Sequence, residues 1–199
     1  MESTGLQNLN ELNVLIIDDN TLIHDLLKRS LYEIGIRNVK CAENAFYGLR
    51  LCAEMTFHIV VCAFNVKSDK DGFHILEEMK FKGYVNKRTV LIFLSSETDE
   101  TLVNSIAELQ PDDFWVKPLN TKHVQTRLNH TLDVKRKLFN VYECIDNRDF
   151  GKAVYYAERH LKSPELKKYH MHLLRMKGEC LLSLMEYEDA ENYYRELLK

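Results

Sequence analysis

Long apolar runs are the first thing this sequence lacks: the longest, Ile59 to Phe64, has six residues, against the ~20 a helix needs to cross a bilayer. No segment reads as membrane-spanning. The opening stretch, Met1 to Asn13, is polar and acidic and lacks the basic-then-apolar order of a secretory signal, so a cytoplasmic chain is expected. Cysteine is scarce and odd in number: Cys41, Cys52, Cys62, Cys144 and Cys180 show no C-x-x-C spacing, which speaks against a disulfide framework or a zinc site. With only 3 prolines and 7 glycines, and with 45% apolar and 29% charged residues, disorder, low complexity and collagen-like repeats are excluded. Strong positive charge is missing too. The first 120 residues carry 12 Lys and Arg against 18 Asp and Glu, and the remaining 79 carry 15 against 12. The acidic front argues against nucleic-acid binding there, and the small excess behind it is too slight to argue for it.

What is present divides at Pro118. At about 150 residues per domain, 199 residues allow one or two. Before Pro118, short β-branched or aromatic runs alternate with helical patterns. Val14–Ile17, Val39–Cys41, Ile59–Phe64, Val90–Leu94 and Phe114–Val116 read as strands. Leu22, Ile23, Leu26, Leu27, Leu31 and Ile34 keep to one helical face with Gly35 as its stop. Phe73, Leu76 and Met79 mark a later helix after Gly72, and Leu102, Val103, Ile106 and Leu109 another. Five strands alternating with helices, the central ones apolar throughout, imply an α/β fold with a doubly wound, flavodoxin-like parallel sheet. From Asn120 onward the only proline is Pro164 and the only glycines are Gly151 and Gly178, so an all-α segment is expected.

In a doubly wound sheet ligands bind at the carboxyl ends of the strands. The first strand runs into Asp18 and Asp19, the fourth into Ser95 and Ser96, and the fifth into Lys117 and Pro118. Two acids fit Mg2+, which takes one or two carboxylates plus waters and a phosphoryl oxygen. A hydroxyl and a lysine opposite would hold the remaining phosphoryl oxygens. Taken singly, a strand-end Asp pair reads as turn or capping chemistry and a strand-end Lys as solvated; the ordered set is far more specific.

The segments Val14–Asn20 (VLIIDDN), Ile59–Asn65 (IVVCAFN), Asp71–Phe73 (DGF), Leu91–Ser96 (LIFLSS) and Asp113–Pro118 (DFWVKP) together resemble the CheY-like receiver domain of bacterial two-component response regulators. The resemblance covers roughly residues 12–135, after a tail of residues 1–11. It implies a metal site of Asp18, Asp19, the residue at position 63 and the backbone carbonyl of Asn65. It also implies a switch hydroxyl at Ser95, a phosphate-binding Lys117, an aromatic switch position at Phe114 and a cis peptide at Lys117–Pro118. A sensor histidine kinase or phosphotransfer protein is the implied partner. The departure is Ala63, which stands where the family carries its phosphorylated aspartate. A methyl group cannot attack phosphorus, so the chain as written forms no acyl phosphate. With one acid fewer, Mg2+ should bind more weakly. The intact Asp18, Asp19, Ser95 and Lys117 favour an Asp-to-Ala substitution in an otherwise phosphorylatable regulator; a natural pseudo-receiver acting as a scaffold is the alternative. A haloacid-dehalogenase-like phosphatase is a remote third reading, since it needs a general acid two residues after its nucleophile, where Asn20 stands here.

Residues 136–199 resemble tetratricopeptide repeats: Gly178, Ala190 and Tyr194 fall at its spacing, and Asp149–Ala153 repeats as Glu186–Ala190 at an offset of 37 residues, where about 34 is usual. An unrelated antiparallel helical bundle is the plainer alternative. The resemblance implies a protein-binding output, with no nucleic-acid or membrane partner expected. Barely two repeats are present and the last apolar pattern runs to Lys199 without a cap, so either the natural chain continues or the helices lean on the receiver or a second copy, as in a homodimer. The helix beginning after Asn120 is expected to run through Lys135 towards Tyr142 and to carry a change at the receiver into the repeats. Eight scattered histidines read as structural, and Trp115 as strand packing.

Overall fold

In a computed structural model of the chain, residues 6, 8–64, 72–96 and 109–198 are described. The chain forms two compact units, Met1–Arg136 and Lys137–Lys199.

The first unit is built on five parallel strands, β1 (Asn13–Ile17), β2 (Asn38–Ala42), β3 (Ile59–Ala63), β4 (Val90–Ser95) and β5 (Asp113–Val116), in the order β2-β1-β3-β4-β5. This is the expected flavodoxin-like sheet. Its helices are α1 (Thr21–Glu33), α2 (Ala45–Glu54), α3 (Gly72–Phe81) and α4 (Thr121–Lys137). The expected helix of Leu102, Val103 and Ile106 lies outside the described residues. Strand side chains alternate between two cores, as a period of two requires. Leu15, Ile17, Val60, Cys62, Leu91 and Phe93 face α2 and α3, packing on Leu51, Leu76 and Met79. Val14, Ile16, Ile59, Val61, Ile92 and Leu94 pack on Leu27 and Leu31 of α1 and Leu128 and Leu132 of α4. Both faces are therefore dry, and the strand ends are left for polar chemistry.

α4 runs through Lys135, but the expected continuation towards Tyr142 is interrupted. Leu138 is fully buried and takes φ −104°, ψ 16°, outside the helical basin, before α5 begins at Phe139. Neither proline nor glycine marks this break, so the sequence pattern gave no sign of it.

The second unit is all helical: α5 (Phe139–Asp146), α6 (Phe150–Leu161), a 3-10 turn (Pro164–Tyr169), α7 (His170–Ser183) and α8 (Tyr187–Leu197), each helix packing on the next. Its two tight turns are built alike, 37 residues apart. After α5, Asn147, Arg148 and Asp149 donate their backbone N–H groups to the carbonyls of Glu143, Ile145 and Cys144; after α7, Leu184, Met185 and Glu186 donate to Cys180, Leu182 and Leu181. Arg148 and Met185 both adopt positive φ, 58° and 62°, the left-handed residue that ends many helices. Small residues sit at the crossings: Ala153, Ala157 and Ala190 are buried, and a side chain added at Gly178 would strike the ring of Tyr194.

Candidate functional site

Parallel pairing aligns the strand ends. Ile17 pairs with Cys62, so the next residues, Asp18 and Ala63, lie level; Ala63 pairs with Leu94, just before Ser95, and Ser95 pairs with Val116, just before Lys117. Four positions far apart in sequence thus meet at one rim.

Asp18 is fully buried. Its Oδ1 accepts the Asn20 N–H at 2.9 Å, a local turn bond of the kind Asp makes ahead of a helix. Its Oδ2 lies 2.7 Å from Lys117 Nζ, yet accepts no well-aligned hydrogen bond. The contact is an ion pair with lone-pair capacity left over. Asp19 is half-buried beside it. Asn20 points away and caps α1, its side-chain oxygen accepting the Leu22 N–H at 3.0 Å. Ser95 is 3% exposed, and its carbonyl accepts the Lys117 N–H at 2.7 Å, which extends the β4–β5 ladder to the lysine. The Lys117–Pro118 peptide is cis. Phe114, half-buried on β5, packs in the core under α2 and α3. Ala63 is 1% exposed. Asn65, expected to offer its carbonyl, lies outside the described residues.

Two features escaped the sequence reading. Gly72 approaches β3 so closely that an added Cβ would overlap the Ala63 carbonyl, and its N–H donates to the Phe64 carbonyl at 2.7 Å. On β5, Asp113 Oδ2 accepts Trp115 Nε1–H at 2.6 Å and Arg127 Nε–H at 2.9 Å, while Arg127 Nη2 bonds Oδ1. The Asp113 hydrogen bond raises the Arg127 pKa. The close approach is signalled only by a glycine after an acid, and the network by nothing local, because Arg127 is 14 residues from its partner.

A cation at this rim would find Asp18 Oδ2 buried and under-bonded, with Asp19 adjacent, which suits Mg2+ coordination by one or two carboxylates. Among the described residues no group of three or more His, Cys, Asp or Glu gathers to hold a metal.

Comparison with known proteins agrees with this architecture. The chain matches the response regulator receiver domain over residues 14–129, and it belongs to that family, the receivers of two-component systems. It is 25% identical over 118 residues to a probable chemotaxis protein CheY of Rhizobium etli, covering 59% of this chain and 90% of that one. It is 28% identical over 125 residues to the transcriptional regulatory protein AruR of Pseudomonas aeruginosa, covering 60% of this chain and 48% of that protein. Over 184 residues it is 23% identical to a cyclic di-GMP phosphodiesterase of Thermotoga maritima, covering 92% of this chain and 46% of that protein. It therefore spans about half the length of the latter two. Among solved structures, chemotaxis response regulator CheY4 of Vibrio cholerae shares the fold at TM-score 0.55 and 20% identity, covering 60% of this chain and 98% of that one. A CheY-like receiver from Methanospirillum hungatei does so at TM-score 0.55 and 23%, covering 63% and 97%. No described helix is long and apolar enough to cross a membrane.

Proposed function

We propose that this chain is a phosphorelay regulator whose acceptor position is Ala63, and whose output is protein binding through tetratricopeptide-like helices in residues 136–199. The observation that carries the reading is the Lys117 ammonium 2.7 Å from buried Asp18, level with Ala63 and one residue from the end of the strand that follows Ser95 in the sheet. A receiver domain over 12–135 with Asp at position 63 would have its nucleophile there. Ser95 and Lys117 would bind the phosphoryl oxygens, and Phe114 would follow Ser95 in the switch. Asp18, Asp19 and the Asn65 carbonyl would hold Mg2+, which neutralises charge on a phosphoryl oxygen; with Ala63 its binding is weakened. A sensor kinase or phosphotransfer protein is the upstream partner. The repeated turns and the Gly178–Tyr194 crossing support the repeat reading.

The scaffold reading keeps one observation in its favour. Lys117 already neutralises Asp18 in the absence of any phosphoryl group, so the site is self-consistent with Ala63 as its native residue. The phosphatase reading loses support, because the residue at the general-acid position, Asn20, is engaged in capping α1.

Hydrogen exchange tests the output half. On an Ala63→Asp chain, a phosphate mimic such as beryllofluoride with Mg2+ should alter protection in residues 137–198. Protection changes confined to the receiver would refute transmission to the helices.

A further inference from the structure

The second unit sorts its charge by end. Residues 137–199 carry 11 Lys and Arg and 11 Asp and Glu, yet the two signs are separated. Between Arg159 and Lys177, around the α6–α7 corner, six Lys and Arg stand against a single acid, Glu165. Between Gly178 and Tyr194, around the α7–α8 corner, five acids stand against no Lys or Arg. Part of this charge is paired locally: Lys177 lies 2.8 Å from Glu158, Arg175 lies 3.6 Å from Glu179 and Glu191 lies 2.6 Å from Arg195. What distinguishes the first corner is Arg159, Lys162 and Lys167, all exposed. Burial, with Arg159 second, lowers the pKa of the neighbouring His160, so the positive charge there rests on lysine and arginine. At the other corner every residue from Leu182 to Asp189 is exposed, including Glu186, Glu188 and Asp189.

Each corner also presents apolar surface. Met171 is 77% exposed beside the basic cluster, and Met185 and Tyr187 are 73% and 63% exposed among the acids. Met185 holds its exposed side chain on a left-handed backbone, φ 62°, a conformation uncommon for residues other than glycine, asparagine, aspartate and histidine.

Arg159, Lys162 and Lys167 precede α7 and Glu186, Glu188 and Asp189 follow it, and its 14 residues span about 21 Å at 1.5 Å per residue, so these two groups do not pair within one copy. We propose that the acidic α7–α8 corner of one copy docks on the basic α6–α7 corner of a second copy. The contact is head-to-tail and uses two different surfaces, so it builds open chains or rings rather than a closed two-fold dimer. Exposed ion pairs are worth about 0–1 kcal/mol each, so the association is weak, reversible and sensitive to salt. It is independent of the chemistry at position 63 and stands whether or not the relay reading does.

Sedimentation equilibrium of the full chain tests this. In about 0.05 M salt the mass should rise with concentration to at least about twice the 23.4 kDa monomer, and return to monomer in about 0.5 M salt, where screening shortens the Debye length to a few ångströms. Lys162→Glu/Lys167→Glu/Lys168→Glu should be monomeric at low salt. Glu186→Lys/Glu188→Lys/Asp189→Lys should be monomeric too, and an equimolar mixture of the two should associate again, because each then offers what the other lacks. Circular dichroism checks that both fold; if the second variant does not, the salt response and the lysine variant alone decide. A monomer under all conditions, or association that the lysine variant leaves unchanged, would overturn the proposal.

Discussion

A carboxylate taken wholly out of water persists only if something replaces its hydration. For Asp18 that is the Asn20 N–H and the Lys117 ammonium. Removing the lysine strands the acid. Lys117→Met should therefore destabilise the receiver unit by about 3 kcal/mol, the low end for breaking a buried pair because Lys117 keeps some water contact. Urea unfolding followed by the single tryptophan, Trp115, reads this directly, and a loss below about 0.5 kcal/mol, the size of a surface pair, would show that Asp18 does not depend on it. At the other end of β1, His58 Nδ1 accepts the Asn13 N–H at 3.0 Å, so that nitrogen must be unprotonated. Burial lowers the His58 pKa below its ordinary 6.5. On acidification the unfolded chain takes up the proton first, so stability is intact above about pH 6.5 and declines as pH falls below it, until the folded imidazole is also protonated. The urea midpoint should drop between about pH 7.5 and 5.5, and His58→Asn, which keeps an acceptor without titrating there, should flatten the slope. An unchanged slope would remove His58 from the explanation.

At the scale of elements, strands and helix faces were legible because both periods are strong: β-branched runs for a two-sided sheet, and Leu27 and Leu31 on one side of α1. Strand limits shifted by only a residue, as with β3, which ends at Ala63 rather than Phe64. The end of α4 was not legible, because the backbone leaves the helical basin at Leu138, a buried leucine, without a breaker residue. The Pro164–Tyr169 3-10 turn was missed for a similar reason, since one proline marks a start but not a helix type. At the site, Asp18, Ser95 and Lys117 could be read from their places at strand ends. The role of Gly72 could not, because it lies in how near α3 comes to β3. Gly72→Ala sets a methyl against backbone, which cannot rotate away as a side chain can, so a loss of about 3 kcal/mol, the upper range for overpacking, is expected. Thermal unfolding measures it, and a variant as stable as the parent would mean that α3 is free to back off.

Across the whole molecule, a receiver fold is joined in sequence to a helical unit with repeated turns, and the proposed function sets Ala63 at the acceptor position. The proposed relay and the scaffold alternative differ at position 63, and chemistry there separates them. Mass spectrometry of the intact Ala63→Asp chain after exposure to acetyl phosphate and Mg2+ is the most direct measurement. The new carboxylate would attack phosphorus and release acetate, adding one phosphoryl group per chain, while the Ala63 chain gains none. Stoichiometric addition is the expected result; an Ala63→Asp chain that folds and still gains nothing would contradict the claim that Asp18, Ser95 and Lys117 form a receiver site lacking only its acceptor.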